Sequence, residues 1–196
     1  MRRLFILAVV LLMLLSGCSR GEQPGSTAAN NPANPLAGRV VPSFSAYVLN
    51  GQVVTEQVFR KHNLTMINIW GTYCQPCIRE MPELDGLQKK YEKSGVKILG
   101  VVVDRNAQAA RRIVSQTGAA YQNIIPDASL ENSICRAFNY VPVSIFVDSS
   151  GRILGEIVSG ANNLEGYSKV IDRLLESESS AAADDGDRGT VVWSAL

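Results

Sequence analysis

The sequence predicts an α/β domain, in which a central mixed β-sheet is flanked by helices and carries a strand or hairpin extension at its N-terminal side. Apolar runs of strand length alternate along the chain with segments whose apolar residues recur at helical spacing. The apolar run Val96–Val103 is typical of a strand that is buried on both faces of a sheet. Two later runs, joined by the short polar turn Asp148–Gly151, indicate an antiparallel hairpin.

Each element follows from a local pattern. The dipeptide Asn50-Gly51 favours a tight turn, and it divides the first apolar run. Met81, Leu84 and Tyr91 recur at the spacing of one helical face. In chain order, the sequence predicts a strand or hairpin over 44–54, a short helix over 55–62, a strand over 64–70, a helix from 74 to about 94, a strand over 96–103, a helix over 106–117, a short strand over 123–125, a helix over 129–138, strands over 143–147 and 152–158, and a helix over 164–175.

The composition is that of one ordinary globular domain with tails. The chain has 196 residues, a formal net charge of +1 and a hydrophobic fraction of 46%. This near-neutral balance gives no reason to expect nucleic acid or an acidic partner. We expect a monomer.

The N-terminal segment has the pattern of an export signal. Arg2 and Arg3 precede the apolar stretch Leu4–Leu15, which is short for a membrane span and has the length of a signal-peptide core. The sequence Leu15-Ser-Gly-Cys18 resembles the lipobox of bacterial lipoproteins, which implies that 1–17 is a signal peptide and that Cys18 is lipidated. The alternative is an uncleaved anchor with an incidental cysteine. Both interpretations place the rest of the chain outside the cytoplasm, on a membrane.

Two polar segments flank the predicted domain, which covers residues 39–176. Residues 18–38 consist of the lipidated cysteine and a stretch rich in proline, glycine and asparagine. We expect this stretch to be a flexible tether. Residues 177–196 begin with serine and alanine, continue with acidic residues, and are predicted to be disordered. Within this tail, Val191-Val192-Trp193 could dock elsewhere on the protein.

Cysteine spacing is the strongest chemical signal. Of four cysteines, Cys74 and Cys77 alone are close enough in sequence to close locally, and they lie at the predicted start of a helix. The unpaired amides and the dipole of a helix N-terminus favour the thiolate of the first cysteine, which we expect to face solvent. This pattern predicts reversible thiol–disulfide exchange.

A zinc site would need two further ligands, for which only Cys135 and His62 are available, so we expect no metal. We expect Cys135 to be a buried, inert thiol, and the alternative is a regulatory thiol.

Three motifs occur in a fixed order: Trp70-Gly-Thr-Tyr-Cys74-Gln-Pro-Cys77, then Glu80-Met-Pro82, then Tyr140-Val-Pro142 before a strand. With them, the region from about Val40 to Glu176 resembles the thioredoxin fold, and more narrowly the membrane-anchored extracytoplasmic thiol–disulfide oxidoreductases of the TlpA/ResA type. The resemblance implies a thioredoxin-like fold and a redox-active disulfide, with no other cofactor.

The resemblance and the residue chemistry together assign roles at the dithiol. Cys74 is expected to attack a substrate disulfide, and Cys77 to resolve the mixed disulfide. Asn68 occupies the strand position where thioredoxin has a proton-handling aspartate, and asparagine does not titrate. Glu80 lies on the helical face of Cys77, and proteins of the ResA type have a glutamate here, so Glu80 is the expected acid–base group. The alternative is an ordinary solvated helix carboxylate.

Neighbouring residues are expected to shape the substrate site. Val141-Pro142 resembles the cis-proline loop that faces the dithiol in this fold, where its backbone pairs with a substrate segment. Four further positions are expected to contribute, two as flanking aromatic rings and two by setting the reduction potential: Trp70 and Tyr73, and Gln75 and Pro76.

The leading interpretation is a lipid-anchored oxidoreductase that reduces disulfides of extracytoplasmic proteins. The resemblance implies a membrane thiol transporter of the CcdA/DsbD kind as electron donor and apocytochrome c as one substrate class. Three alternatives are a disulfide-forming oxidant, a peroxiredoxin-like antioxidant protein and a non-enzymatic lipoprotein binding module. The peroxiredoxin alternative rests on Pro42-Ser-Phe44, but the chain lacks the proline of the P-x-x-x-T-x-x-C arrangement.

Overall fold

The computed structural model describes residues 33–187 and has a mixed β-sheet at its centre. In this part of the chain the strands are β1 (Ser45–Val48), β2 (Val53–Thr55), β3 (Leu64–Trp70), β4 (Val96–Val102), β5 (Gln122–Ile125), β6 (Val143–Asp148) and β7 (Ile153–Ser159). They lie in the order β2-β1-β5-β4-β3-β6-β7. The pairs β3–β4 and β4–β5 are parallel and the other pairs antiparallel.

Five α-helices lie in the same part of the chain, together with two 3-10 turns. They are α1 (Gln57–Arg60), α2 (Gln75–Tyr91) with the turn Glu92–Ser94, α3 (Ala107–Thr117), α4 (Ala128–Ser133) with the turn Cys135–Ala137, and α5 (Leu164–Asp187). Polar side chains start α3 and α4, because Asn106 accepts a hydrogen bond from the Ala109 amide and Asp127 accepts one from the Leu130 amide.

Apolar side chains cover both faces of β3, which is buried along its whole length. Because side chains alternate between the faces of a strand, Met66 and Trp70 lie in a layer with α2, α3 and α5, whereas Ile67 and Ile69 lie in a layer with α1 and α4. Asn68 has the parity of Met66 and Trp70, so its amide lies in the first of these layers. The predicted mixed sheet with helices on both faces is confirmed.

The pairing of β3 with β6 positions the dithiol segment. These strands are antiparallel, and Ile69 lies opposite Val143. The end of β3, from which the chain continues to Cys74, is therefore next to the start of β6, which directly follows Pro142. Two segments that are distant in sequence meet at one edge of the sheet.

The folded unit begins earlier than the predicted boundary at residue 39. Leu36 is 1% exposed and lies in the layer of α1 and α4. The Asn34 side chain donates to the Leu154 carbonyl at 2.8 Å and accepts from the Leu36 amide at 3.0 Å. The Gly38 amide donates to the Ile153 carbonyl at 2.8 Å. The predicted boundary is wrong because residues 34–38 pack against β7 and do not belong to the tether.

Helix α5 continues to Asp187, whereas the sequence predicted its end at Leu175 and disorder from residue 177. The added part contains three consecutive alanines, 181–183, and alanine has the highest helix propensity, which favours continuation of the helix. The predicted disorder is therefore not found over 177–187. The predicted signal peptide 1–17, Cys18, the tether up to residue 32 and residues 188–196 lie outside the described residues. Among the helices of the described part, none has both the length and the apolar character needed to cross a membrane.

Candidate active site

Cys74 and Cys77 form a disulfide at the start of α2, with their Cα atoms 5.3 Å apart. Cys74 is the N-cap of the helix, and its Sγ accepts the Cys77 amide at 3.2 Å, where other helices use an oxygen side chain. Cys74 is 7% exposed and Cys77 1% exposed. Cys74 is the more accessible of the two, although it faces solvent less than the sequence suggested.

The backbone before β6 covers Cys74. The Val141–Pro142 peptide bond is cis, as the resemblance implied, and the Val141 carbonyl oxygen lies 3.7 Å from the Cys74 Sγ. Pro142 is buried and Val141 half-buried. The carbonyl and the sulfur thus share one small surface, where an approaching disulfide would contact both.

The aromatic residues predicted to flank the site occupy different positions. Tyr73 is 68% exposed, and its ring lies over Gly71, where an added Cβ would be 2.7 Å from a ring carbon. Trp70 is fully buried, and its indole N–H donates to Asn123 Oδ1 at 2.8 Å. The expectation that Trp70 flanks the site is therefore wrong. Because side chains alternate along β3, its indole lies in the buried layer with α2, α3 and α5.

Three exposed side chains surround the dithiol. Gln75 and Pro76 lie on the first turn of α2, and both are exposed. Tyr140 is 44% exposed, precedes Val141 in the chain, and its hydroxyl is 3.0 Å from Ser159 Oγ. The Tyr140 ring was not among the predicted site residues, although its place in the proline motif was the available signal.

Glu80 is the buried acid of the site, with 3% exposure. One carboxylate oxygen accepts from Asn68 Nδ2 at 3.1 Å. The other accepts from the Tyr167 hydroxyl at 3.0 Å and from the Asn162 amide at 3.0 Å. The alternative of a solvated helix carboxylate is therefore wrong.

Burial raises the pKa of Glu80, and the hydrogen bonds from Asn162, Asn68 and Tyr167 offset part of that rise. A carboxyl group with a raised pKa exchanges protons closer to neutral pH than an exposed one does. It lies one helical turn from Cys77, which is the position an acid–base group for that thiol requires.

Tyr167 and Ser144 complete the cluster around Glu80, and neither was among the predicted site residues. Their hydroxyls are 3.2 Å apart, and Ser144 Oγ also accepts from Asn68 Nδ2 at 3.1 Å. Ser144 lies opposite Asn68 in the β3–β6 register. A serine within an otherwise apolar strand was the signal for Ser144, whereas Tyr167 lies in a helix far along the chain and gave none.

The loop after β4 holds the segment that precedes Cys74. Asp104, which follows β4, accepts the Thr72 amide at 3.1 Å and the Thr72 hydroxyl at 2.5 Å. Both residues lie at the carboxyl edge of the parallel strands β3 and β4. Two hydrogen bonds from Thr72 to Asp104 thus tie the segment between β3 and α2 to the loop after β4.

The remaining cysteine and the histidine do not join this site. Cys135 is buried and free, and burial raises the pKa of its thiol to about 12, as expected of an inert thiol. His62 precedes β3, at the opposite end of that strand. Among the described side chains, no group of three or more His, Cys, Asp or Glu is arranged to hold a metal ion.

A dithiol that caps a helix after an interior strand of such a sheet is a site for disulfide exchange, and it makes the protein a thiol–disulfide oxidoreductase of the thioredoxin superfamily. The family model described as Redoxin matches residues 36–171, and the chain belongs to that family. These findings confirm the TlpA/ResA-like resemblance and the enzymatic activity.

Two similar relatives bear the name thiol-disulfide oxidoreductase ResA. The one from Bacillus thuringiensis (strain Al Hakam) is 28% identical over 165 residues, which cover 83% of this chain and 94% of the relative. The one from Geobacillus kaustophilus (strain HTA426) is 27% identical over 178 residues, which cover 90% and 96%. A crystal structure of a thiol:disulfide interchange protein of the thioredoxin family, from Chlorobium tepidum TLS, aligns with a TM-score of 0.61 at 19% identity, covering 69% of this chain and 95% of that one. This likeness shows the fold.

Proposed function

We propose that the protein reduces disulfides of extracytoplasmic proteins at a membrane surface, to which lipidated Cys18 tethers it. The observation that carries the redox part is the position of Cys74, whose sulfur accepts the Cys77 amide at the N-terminus of α2. That amide and the helix dipole stabilise a thiolate, which is the attacking species in disulfide exchange.

The proposed reaction has two exchanges. The Cys74 thiolate attacks one sulfur of the substrate disulfide, forms a mixed disulfide and expels the other sulfur as a thiolate. Cys77 then loses its proton to the Glu80 carboxylate and attacks the Cys74 sulfur, which releases the second substrate thiolate. The enzyme ends as the Cys74–Cys77 disulfide, and the substrate thiolates take up one proton from Glu80 and one from solvent.

The surface around Cys74 fits an extended substrate segment. The Val141 carbonyl beside the sulfur is placed to accept a backbone amide of that segment. The exposed rings of Tyr73 and Tyr140 provide apolar area on which its side chains can pack. A membrane thiol transporter of the CcdA/DsbD kind would then reduce the enzyme again, and apocytochrome c is a substrate class to test.

Insulin reduction with dithiothreitol tests the redox proposal. We expect Cys74→Ala to lower the rate to the uncatalysed background, because no other described thiol caps a helix. Cys77→Ala should accumulate a mixed disulfide that gel electrophoresis without reductant detects. Cys135→Ala is the matched control and should retain the wild-type rate. Equal rates for Cys74→Ala and wild type would leave the dithiol without a catalytic role.

The reduction potential decides the direction of electron flow. Equilibration of the Cys74–Cys77 pair with glutathione should give a value toward the reducing end of the range of about −270 to −120 mV. A value near the −120 mV end would instead favour the disulfide-forming oxidant.

Membrane attachment is tested separately, through Cys18. We expect Cys18→Ala to abolish both the added lipid mass and the cleavage before residue 18, while Cys135→Ala changes neither. An unchanged mass in Cys18→Ala would contradict lipidation and leave the redox proposal untouched.

A further inference from the structure

A cleft at the end of the sheet opposite the dithiol has no part in the reaction. Its volume is about 650 Å³, and it lies between β2, α1 and the ends of β4 and β5. The polar side chains that line it include Gln57, Lys61, His62, Lys97 and Gln122. Val53, Val54 and Val58 form its apolar wall.

Positive charge converges in this cleft. Lys97 is half-buried, yet its ammonium group makes no hydrogen bond or ion pair with any described residue, and Glu92 is the carboxylate that attracts it from a distance. Lys61 and His62 follow α1 and face the same space. No carboxylate is among the residues that line the cleft.

The surroundings of Lys97 and His62 disfavour positive charge on both side chains. Burial lowers the pKa of Lys97. Burial, followed by the charges of Lys97 and Lys61, lowers the pKa of His62. Both shifts mean that the cleft disfavours further positive charge, which an anion would relieve.

We propose that this cleft binds the phosphate group of a phosphate ester. Two ammonium groups, an imidazole and side-chain amides supply the hydrogen-bond donors that a tetrahedral dianion requires. A single carboxylate would leave part of this charge uncompensated. The volume is larger than phosphate alone needs, so the apolar wall accommodates an organic part, either that of a small soluble ester or the glycerol of a phospholipid headgroup.

The single histidine of the chain gives a direct test. NMR spectra of the full-length protein in phosphate-free maltoside micelles resolve one imidazole, which reports on the cleft alone. We expect glycerol phosphate to shift the His62 resonance in a saturable manner and to raise the His62 pKa, because the bound anion stabilises the imidazolium.

Matched variants separate binding from general salt effects. Lys97→Gln and Lys61→Gln should each weaken the affinity about tenfold, which is the usual effect of losing one charge-assisted hydrogen bond. Lys93→Gln removes the same charge from an exposed position outside the cleft and should bind like the wild type. Insulin reduction should be unchanged in all three variants, which shows that they are folded and keeps this test independent of the proposed redox function.

Two probes, glycerol phosphate and phosphatidylglycerol vesicles, distinguish a soluble phosphate ester from a lipid headgroup as the ligand. Saturable binding of glycerol phosphate without a Lys97-dependent response to phosphatidylglycerol vesicles assigns a soluble ester, whereas a Lys97-dependent response to the vesicles assigns a lipid headgroup. A shift that is linear in concentration and equal in Lys97→Gln and Lys93→Gln, or no shift with either probe, would overturn the proposal.

Discussion

At the level of single residues, the Glu80 carboxyl is buried in an apolar layer and is held there by hydrogen bonds from three partners. Its raised pKa has a consequence for stability as well as for proton transfer. Above pH 4.5, the ordinary value, the unfolded chain has lost this proton while the folded protein still holds it. The folded state then binds more protons, so the free energy of unfolding falls as the pH rises through the folded-state pKa.

We therefore expect Glu80→Gln to flatten the pH dependence of stability above pH 4.5, because the amide does not titrate. The same variant should reduce insulin about two orders of magnitude more slowly, because it lacks the acid–base group. Urea unfolding across this pH range and the insulin assay measure the two effects. Glu83→Gln removes a carboxyl from the same helix that accepts the Leu164 amide at 2.9 Å, and glutamine keeps an oxygen for that bond, so it serves as control. A wild-type pH profile for Glu80→Gln would contradict the assignment.

Tyr167 is a positioning residue for Glu80, and Tyr167→Phe tests this. The variant keeps the ring but removes the hydroxyl that donates to the carboxylate, so the pKa of Glu80 should rise further and the acid side of the pH–rate profile should move to higher pH. We expect stability to fall by about 1 kcal/mol.

Tyr91→Phe is the matched control for Tyr167→Phe. It removes a buried tyrosine hydroxyl of the same apolar layer, which donates to Asp172 at 2.6 Å and does not contact Glu80. Its stability should also fall, but its pH–rate profile should match the wild type. A shift of the same size in both variants would mean that Tyr167 has only a structural role.

At the level of elements, the loop after β4 steadies the start of α2. Asp104 accepts two hydrogen bonds from Thr72, two residues before the nucleophilic cysteine. We expect Asp104→Ala to accelerate hydrogen exchange of the Thr72 amide about tenfold and to slow insulin reduction severalfold, since Cys74 would be held less firmly. Thr72→Val removes the hydroxyl but keeps the hydrogen bond from the backbone amide to Asp104, so it should give an intermediate effect. Unchanged amide exchange in Asp104→Ala would show that this contact does not order the loop.

The elements around the dithiol were predictable because each has a local signal. An apolar run, a C-x-x-C pair with proline, and apolar residues at helical spacing indicate β3 and α2, and Glu80 follows from its distance to Cys77. The orientation of Trp70 depends on strand parity, which a strand that is buried on both faces does not reveal by periodicity. Tyr167 depends on the packing of α5 against α2, 87 residues from Glu80, and no local pattern encodes such a contact.

At the level of the whole molecule, residues 34–38 close the layer of α1 and α4 through the Leu36 side chain. A variant that lacks residues 1–33 keeps Asn34 and Leu36 and should unfold like the full domain. A variant that lacks residues 1–38 loses the buried Leu36 side chain and the hydrogen bonds of Asn34, so we expect it to be less stable by about 2–4 kcal/mol. Urea unfolding compares the two, and equal midpoints would return the domain boundary to residue 39.

The boundary itself could not be read from composition. Residues 34–38 resemble the polar tether that precedes them, and only the edge of β7, which comes more than a hundred residues later, makes them part of the fold. The alternating pattern of strands and helices predicted the layers, but tertiary contacts decide where the folded unit begins.

The parallel pairing of β3 and β4 has one more consequence. His62 and Lys97 lie at the starting ends of these strands, whereas Cys74 follows the far end of β3, about 20 Å away for a strand of seven residues. An anion in the cleft and a protein at the dithiol would therefore bind at the same time, and the anion would not compete with the protein substrate. A molecule held to a bilayer by the cleft would present its dithiol away from the lipid, toward proteins in solution.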